Sequence, residues 1–495
     1  MLPGQIERQF ATPPKPGATE GAPIELPGAR QAVPANATDF KFVLRRVIVD
    51  RGARYPEAVL RESYGKVLDR EVTLADLYDV ANDLTRRYRN DGLILTQVIV
   101  PPQTVRDGTV RLLVIEGYVD QVKLEGDIAG RRGLVQTYAD RIRDTRPLTA
   151  AALEANLLMM NDLAGATARA TLMPSDAEDG AATLVVQFTQ QRVTGGVAID
   201  NRGSKLIGPW RGTFDLDLNS VLGYYDRTSA KVVTTPDDEL LFGTVSHELP
   251  VNAYGTKIGF AGTAVRSHPD VASSFGGTNL ETSSRTGVIS ATQTLHRSRA
   301  ENLYVRASFS AHNGRTITND VTTAEDRLRV GRLALTYDRA DRWLGVNIVE
   351  LELSHGFNIL GAKRSGEPDL SRAYGRSDFT KVTLYGARLQ SIAPRWSVLT
   401  AVTGQYAFNP LLASELFAYG GEQFGRGYDP SELVGDTGIA GKLELRFTDT
   451  TRWNWLKSYS AYGFYDVGKV HRRTPINEPQ DESGAAAGLG VRFNL

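Results

Sequence analysis

The sequence predicts two small α+β domains followed by a transmembrane antiparallel β-barrel, and three features carry that fold class. One strand, helix, helix, strand, strand order occurs twice in succession between residues 39 and 191. From 192 to 495 the helical period disappears, and segments of about ten residues alternate apolar with polar or charged side chains. The connections between them are short at one end and long and polar at the other, the asymmetry of an outer-membrane barrel. A soluble β-sandwich would not explain so many strands of one length.

Composition narrows the function. The 495 residues carry Lys+Arg 57 against Asp+Glu 57, so no net field argues for nucleic acid or an acidic partner. Cysteine is absent, which suits an envelope compartment where stray thiols would oxidise. No run reaches the ~18 apolar residues of a membrane helix, whereas alternating strands hide their apolar residues from such a count. The start, Met1-Leu2-Pro3-Gly4-Gln5-Ile6, has neither the basic nor the apolar region of a signal peptide. The expectation is a mature or trimmed chain, with Met1 supplied.

Pro3 to Phe10 suits one or two helical turns, and residues 11–38, rich in Pro, Gly and Ala, read as a linker. The first small domain, 39–117, is read as a strand at Lys41–Val49, helices at Pro56–Tyr64 and Leu74–Arg89, and strands at Ile94–Val100 and Val110–Ile115. Its longer helix follows Thr73, an N-cap residue type, and stacks Leu74, Leu77, Tyr78, Ala81, Leu84 and Tyr88 on one stripe. The second domain, 118–191, repeats the order with a strand at Val119–Leu124, helices at Leu134–Arg141 and Leu153–Leu163, and strands at Thr167–Met173 and Thr183–Thr189. Each would leave a sheet edge able to accept an added strand.

In the barrel region, Thr213–Asn219, Leu303–Ser310, Arg332–Asp338, Val349–Leu353 and Lys442–Phe447 place aliphatics on one face and polar side chains, many of them charged, on the other. Tyr459–Val470 sets Ser460, Tyr462, Phe464, Asp466 and Gly468 on one face and an uncharged set on the other, which points Asp466 into a lumen. Leu249–Gly255 and Asp341–Leu344 read as tight turns; Ser267–Arg285, Ala311–Asp326, Gly361–Asp378, Asn409–Thr437 and His471–Ser483 read as long polar loops. Trp210, Trp343, Trp396, Trp453 and Trp455 suit an interfacial girdle.

Two stretches stand out. Gly420-Gly421-Glu422-Gln423-Phe424-Gly425-Arg426-Gly427-Tyr428 lies in the longest polar loop, and Phe464-Tyr465-Asp466-Val467-Gly468 lies inside a strand. An arginine between two glycines has an unencumbered backbone that can carry its guanidinium into a confined space, where a carboxylate would lock it. The plainer alternative is an exposed ion pair worth about 0–1 kcal/mol. Elsewhere, His247-Glu248 lacks the second histidine of a metalloprotease, and there is no Gly-x-Ser-x-Gly or phosphate loop. No catalytic residue, metal or cofactor is expected.

In this order the segments resemble the outer-membrane transporters of two-partner secretion, the haemolysin and filamentous-haemagglutinin secretion proteins, within the superfamily that includes the barrel-assembly insertases. The likeness rests on Pro-Gly-Gln-Ile-Glu-Arg-Gln at the N-terminus, a linker, two polypeptide-transport-associated (POTRA) domains and a barrel carrying Gly-Gly-x-x-x-x-Arg-Gly-Tyr and Phe-x-Asp-x-Gly. The resemblance implies a barrel of about 16 strands, against about 14 counted here, so the closing hairpin at the C-terminus would be missing or truncated. It implies that the loop around 409–437 folds into the lumen and that Arg426 pairs with Asp466. Gly420, Gly421, Gly425, Gly427, Tyr428, Phe464 and Gly468 would shape the contact, and a plug helix within residues 1–10 would include Gln5, Ile6 and Arg8. The implied partners are outer-membrane lipid and a large secreted exoprotein of the haemolysin or filamentous-haemagglutinin type, bound by periplasmic POTRA domains and threaded unfolded through a monomeric pore. An insertase for other barrels, which typically carries more POTRA repeats, and a passive diffusion porin are the alternatives.

Overall fold

The computed structural model describes residues 5–10, 13–17, 33–51, 54–128, 130–236, 238–269, 279–473 and 480–495. Contacts divide the chain into residues 22–190 and a second unit formed by 1–21 with 191–495. The short helix α1 (Gln5–Gln9) belongs to the second unit. Most of the expected linker lies outside the described residues.

The first small domain comprises β1 (Lys41–Leu44), β2 (Arg46–Asp50), α2 (Glu57–Tyr64), β3 (Arg70–Thr73), α3 (Leu74–Asn90), β4 (Gln97–Ile99) and β5 (Thr109–Ile115). The single strand expected at Lys41–Val49 is broken, because the N–H groups of Arg45 and Arg46 both turn to the Gly108 carbonyl at 2.8 and 3.2 Å. β1 therefore pairs with β3, a strand the periodicity did not reveal, while β2 runs parallel to β5 in the order β2-β5-β4. Thr73 caps α3 reciprocally. Its hydroxyl accepts from the Asp76 N–H at 3.2 Å, and the Asp76 carboxylate accepts from the Thr73 N–H at 2.7 Å. Leu77, Ala81, Leu84 and Tyr88 then bury against Val98, Val110, Leu112 and Val114.

The second domain repeats the plan with β6 (Tyr118–Gly126), α4 (Arg132–Asp144), α5 (Ala150–Asn161), β7 (Ala166–Pro174) and β8 (Ala181–Gln190) in the order β6-β8-β7. As β2 and β5 do in the first domain, β6 and β8 run parallel. Val135, Tyr138, Ile142, Leu153 and Met160 fill its core.

The barrel unit forms one antiparallel sheet of 14 strands in sequence order. They are β9 (Val193–Asp200), β10 (Arg211–Asn219), β11 (Arg227–Thr234), β12 (Leu240–Pro250), β13 (Thr256–Ser267), β14 (Leu280–Arg297), β15 (Glu301–Thr318), β16 (Val321–Ala340), β17 (Gly345–Gly356), β18 (Thr380–Ala393) and β19 (Trp396–Ala407), then, after the short loop strands β20 (Phe417–Tyr419) and β21 (Leu433–Gly435), β22 (Thr437–Trp453), β23 (Leu456–His471) and β24 (Asp481–Asn494). This number is the one counted from alternation, two fewer than the resemblance implies, and β9 and β24 have no further strand partner among the described residues. Apolar side chains such as Val197, Phe214, Val245, Leu333, Leu443 and Val467 stay exposed on the outer face. Arg332, Lys381, Gln405, Glu444 and Asp466 face in. Every tryptophan is exposed, and Trp453 stacks on Trp455 with centroids 5.3 Å apart.

One expected loop is a strand pair. Residues 311–326 continue β15 and β16, which are joined only by Asn319 and Asp320 in left-handed conformation, φ 47° and 64°. Such a two-residue turn favours Asn and Asp. The pairing extends in polar residues, with no apolar face for the period to report.

Replacing Thr73 by Ala should remove the hydroxyl that accepts from the Asp76 N–H, while the backbone bond to the Asp76 carboxylate stays available, and cost the start of α3 about 1 kcal/mol. Hydrogen exchange of residues 74–77 in the whole protein should then quicken roughly fivefold, with the barrel amides unaffected.

Candidate functional site in the lumen

Between β19 and β22, residues 408–436 leave the sheet and lie against its inner face, where Phe417, Tyr419 and Phe424 pack with Ala401, Ala440 and Val470. At the tip, Gly425 takes φ 90°, a conformation available to glycine without strain, and Arg426 is thereby aimed at β23. Asp466, with no exposed surface, accepts four bonds there. Its Oδ2 receives the N–H groups of Gly425 (3.2 Å) and Arg426 (3.0 Å) and the Arg426 Nε (2.9 Å), and its Oδ1 receives Arg426 Nη2 (2.7 Å).

The remaining terminal nitrogen of Arg426, Nη1, bonds Glu444 on β22, also buried. Glu444 in turn accepts from Arg446 at 2.6 Å and Arg492 at 2.8 Å, so three guanidinium groups and two carboxylates form one cluster. The guanidinium of Arg426 lies 3.7 Å from the Phe464 ring centroid, and that of Arg492 lies 3.9 Å from Tyr462. In so buried a cluster, removing one partner strands the others and costs about 3–5 kcal/mol.

The glycines of both motifs make room. A Cβ on Gly468 would fall 2.3 Å from the Tyr419 ring, and one on Gly427 would fall 3.0 Å from the Ala486 Cβ. Gly420 and Gly421, at φ 120° and 98°, turn the loop back on itself. Tyr428 packs beside Tyr419, and its hydroxyl accepts from the Ala485 N–H at 3.2 Å, fastening the loop to β24. The loop between β9 and β10 also reaches the tip. Lys205 N–H donates to Asp429 at 3.3 Å, and Arg202 pairs with Glu422.

The helix α1 lies against a different stretch of the sheet, β11 to β14. Ile6 is buried against Ile207, Val233, Leu240, Phe242 and Val265, and the Phe10 ring lies 4.5 Å from Phe242. Gln5 is buried too, while the Arg8 side chain lies outside the described residues. Glu7 accepts from Ser284 at 2.5 Å and Thr286 at 2.9 Å, with His312 Nδ1 3.8 Å away. Beyond the helix, a Cβ on Gly17 would lie 3.4 Å from the Tyr304 hydroxyl.

Glu444, Arg446, Arg492 and Glu7 were not singled out from the sequence. The Lys-x-Glu-x-Arg alternation of Lys442, Glu444 and Arg446 was the available signal, since strand pairing sets Lys442 opposite Asp466 and Glu444 opposite Phe464.

Residues 180–493 match the family described as haemolysin secretion/activation protein ShlB/FhaC/HecB, and residues 42–117 match the ShlB-type POTRA domain. The heme/hemopexin transporter protein HuxB of Haemophilus influenzae (strain 86-028NP) is 24% identical over 455 residues, covering 88% of this chain and 78% of that protein. The structure of CdiB from Escherichia coli superposes with a TM-score of 0.71 at 18% identity, covering 99% of this chain and 88% of that one. That of BamA from Haemophilus ducreyi lacking POTRA domains 1–3 gives 0.51 at 10%, covering 92% and 94%. At these identities the two structures speak for the fold alone.

Gly468→Val should leave β23 paired but displace Tyr419 and with it the tip of the loop. Limited proteolysis of the inserted protein within residues 420–428 should accelerate severalfold over wild type.

Proposed function

The chain belongs to the haemolysin secretion/activation family ShlB/FhaC/HecB, and we infer on that premise how its parts divide the work of exporting a protein. Members of this family are two-partner secretion transporters of the outer membrane, with POTRA domains in the periplasm. The proposal is that the two small domains recognise one large exoprotein, offering a sheet edge to a strand of the partner. The exoprotein then passes unfolded through the barrel, and its folding outside supplies the drive, with no chemical step by the transporter.

In this reading the lumen holds two removable elements. The helix α1 plugs the pore and withdraws down the linker when a partner engages. The loop tip, pinned by Arg426 on Asp466 and Glu444, lines the path. The observation that carries the proposal is that pin. Arg426 holds two buried carboxylates from two wall strands, an arrangement whose desolvation cost a passive channel has no reason to bear. The plug and the periplasmic domain pair argue the same way against a diffusion porin. A kinship of fold with an insertase does not extend to its task, and two POTRA-type units are fewer than insertases typically carry.

Arg426→Ala and Asp466→Ala should each lower secretion of the cognate exoprotein roughly tenfold or more, a shift of about 1.4 kcal/mol or above. The barrel should still insert, judged by heat-modifiable electrophoretic mobility. Wild-type secretion by both variants would remove the pin from the mechanism. Deleting residues 2–10 should raise single-channel conductance in planar bilayers, and an unchanged conductance would reject the plug.

A further inference from the structure

At the end of the lumen loop away from Arg426 sits another buried carboxylate, Asp436, which has no exposed surface. Its Oδ1 accepts the Leu411 N–H at 2.6 Å and Arg372 Nη1 at 2.7 Å, and its Oδ2 accepts Arg372 Nη2 at 3.0 Å and the Arg473 N–H at 2.8 Å. Arg372 Nη1 also donates to the Leu411 carbonyl at 2.6 Å. Leu411 stands where the loop leaves β19 and Asp436 where it rejoins β22, so this one side chain ties the two stems into a ring. Arg372 brings in the loop between β17 and β18, and Arg473 the chain following β23.

A second set of contacts thickens the same neck. Glu415, inside the loop, accepts from Lys381 at 2.7 Å and from Arg332 at 2.6 Å, linking it to β18 and β16. Gln405 spans the two sets, donating to the carbonyls of Glu415 and Asp436 at 3.0 Å each. Leu328, Leu370, Phe379, Leu411 and Leu416 form a buried apolar cluster at the same neck. A fully satisfied buried network is rigid, whereas the same groups half satisfied would be costly.

We propose that Asp436 and Arg372 form a clasp at the neck of the lumen loop and are positioning residues for the Arg426 pin. The loop spans roughly thirty residues, and a chain of that length fixed only at its strand ends would search a large volume before its tip met Asp466. Closing the neck inside the loop shortens the free segment and sets the direction in which the tip extends. The clasp and the pin are then coupled, and loosening the neck depopulates the pinned tip without touching it.

This deepens the reading of Arg426 as a functional pin and rests on it, but the test needs no exported partner. The chain has no cysteine, so the pair Gly427→Cys and Ala486→Cys introduces its only thiols. A Cβ at 427 would stand 3.0 Å from that of Ala486, about half an ångström inside the usual disulfide separation, so a tip seated on the wall brings the two thiols within reach once it eases back by that much. In the full-length, membrane-inserted protein this disulfide should form readily under mild oxidation. Adding Asp436→Asn, or separately Arg372→Gln, should lower its rate of formation by roughly fivefold or more, with heat-modifiable mobility unchanged. Unchanged rates in both backgrounds overturn the proposal. Should Asp436→Asn fail to insert, Arg372→Gln alone decides, since it leaves both backbone donors on Asp436. Failure of the secretion reading would appear elsewhere, as full export by Arg426→Ala, and would not alter these rates.

Discussion

A carboxylate with no exposed surface must take its donors from the protein, and Asp466 takes the four described above from the tip of one loop. That requirement explains why 408–436 cannot extend into solvent like an ordinary polar connection. Left in an empty lumen, the charge would attract water and counterions at little cost. With no exposed surface, and with its guanidinium partner stacked on Phe464 and shared with Glu444, it is stable only with Arg426 in place. The small inner face of β24 belongs to the same arrangement. Gly484, Ala486, Gly488 and Gly490 leave room for Tyr428, the loop tip, Phe464 and Tyr462 in turn.

The two occupants of the lumen are held by different physics. The helix α1 spans five residues, too short to be stable alone, and relies on the seat given to Ile6 and Phe10 and on hydroxyl donors to Glu7. Contacts of that kind are each worth about 1–3 kcal/mol and are exchangeable with water or with another chain. The loop is held by buried charge, whose disruption leaves stranded ions. The proposed departure of the helix, with the loop left in place, accords with that difference in kind.

Much of this was legible because outer-membrane strands and POTRA-type domains write strong periods, and because Arg426 and Asp466 sit in uncommon local sequence. What escaped depended on pairing across strands. Glu444 looks like any inward charge until register sets it beside Phe464, and Arg492 lies on β24, a strand further along. Asp436 gave no signal, since its partners come from three separate connections. The hairpin at 311–326 was misread for the opposite reason. Its strands continue in polar residues, and only Asn319 and Asp320 marked the turn.

The most direct test of the pin is whether Arg426 and Asp466 act as one unit. Secretion by Arg426→Ala, Asp466→Ala and the double variant, each normalised to inserted barrel, measures their coupling. If the pair is the functional element, the double variant will secrete no less than the poorer single one. Losses that multiply, with the double variant falling by the product of the two, would show two independent roles and contradict the account.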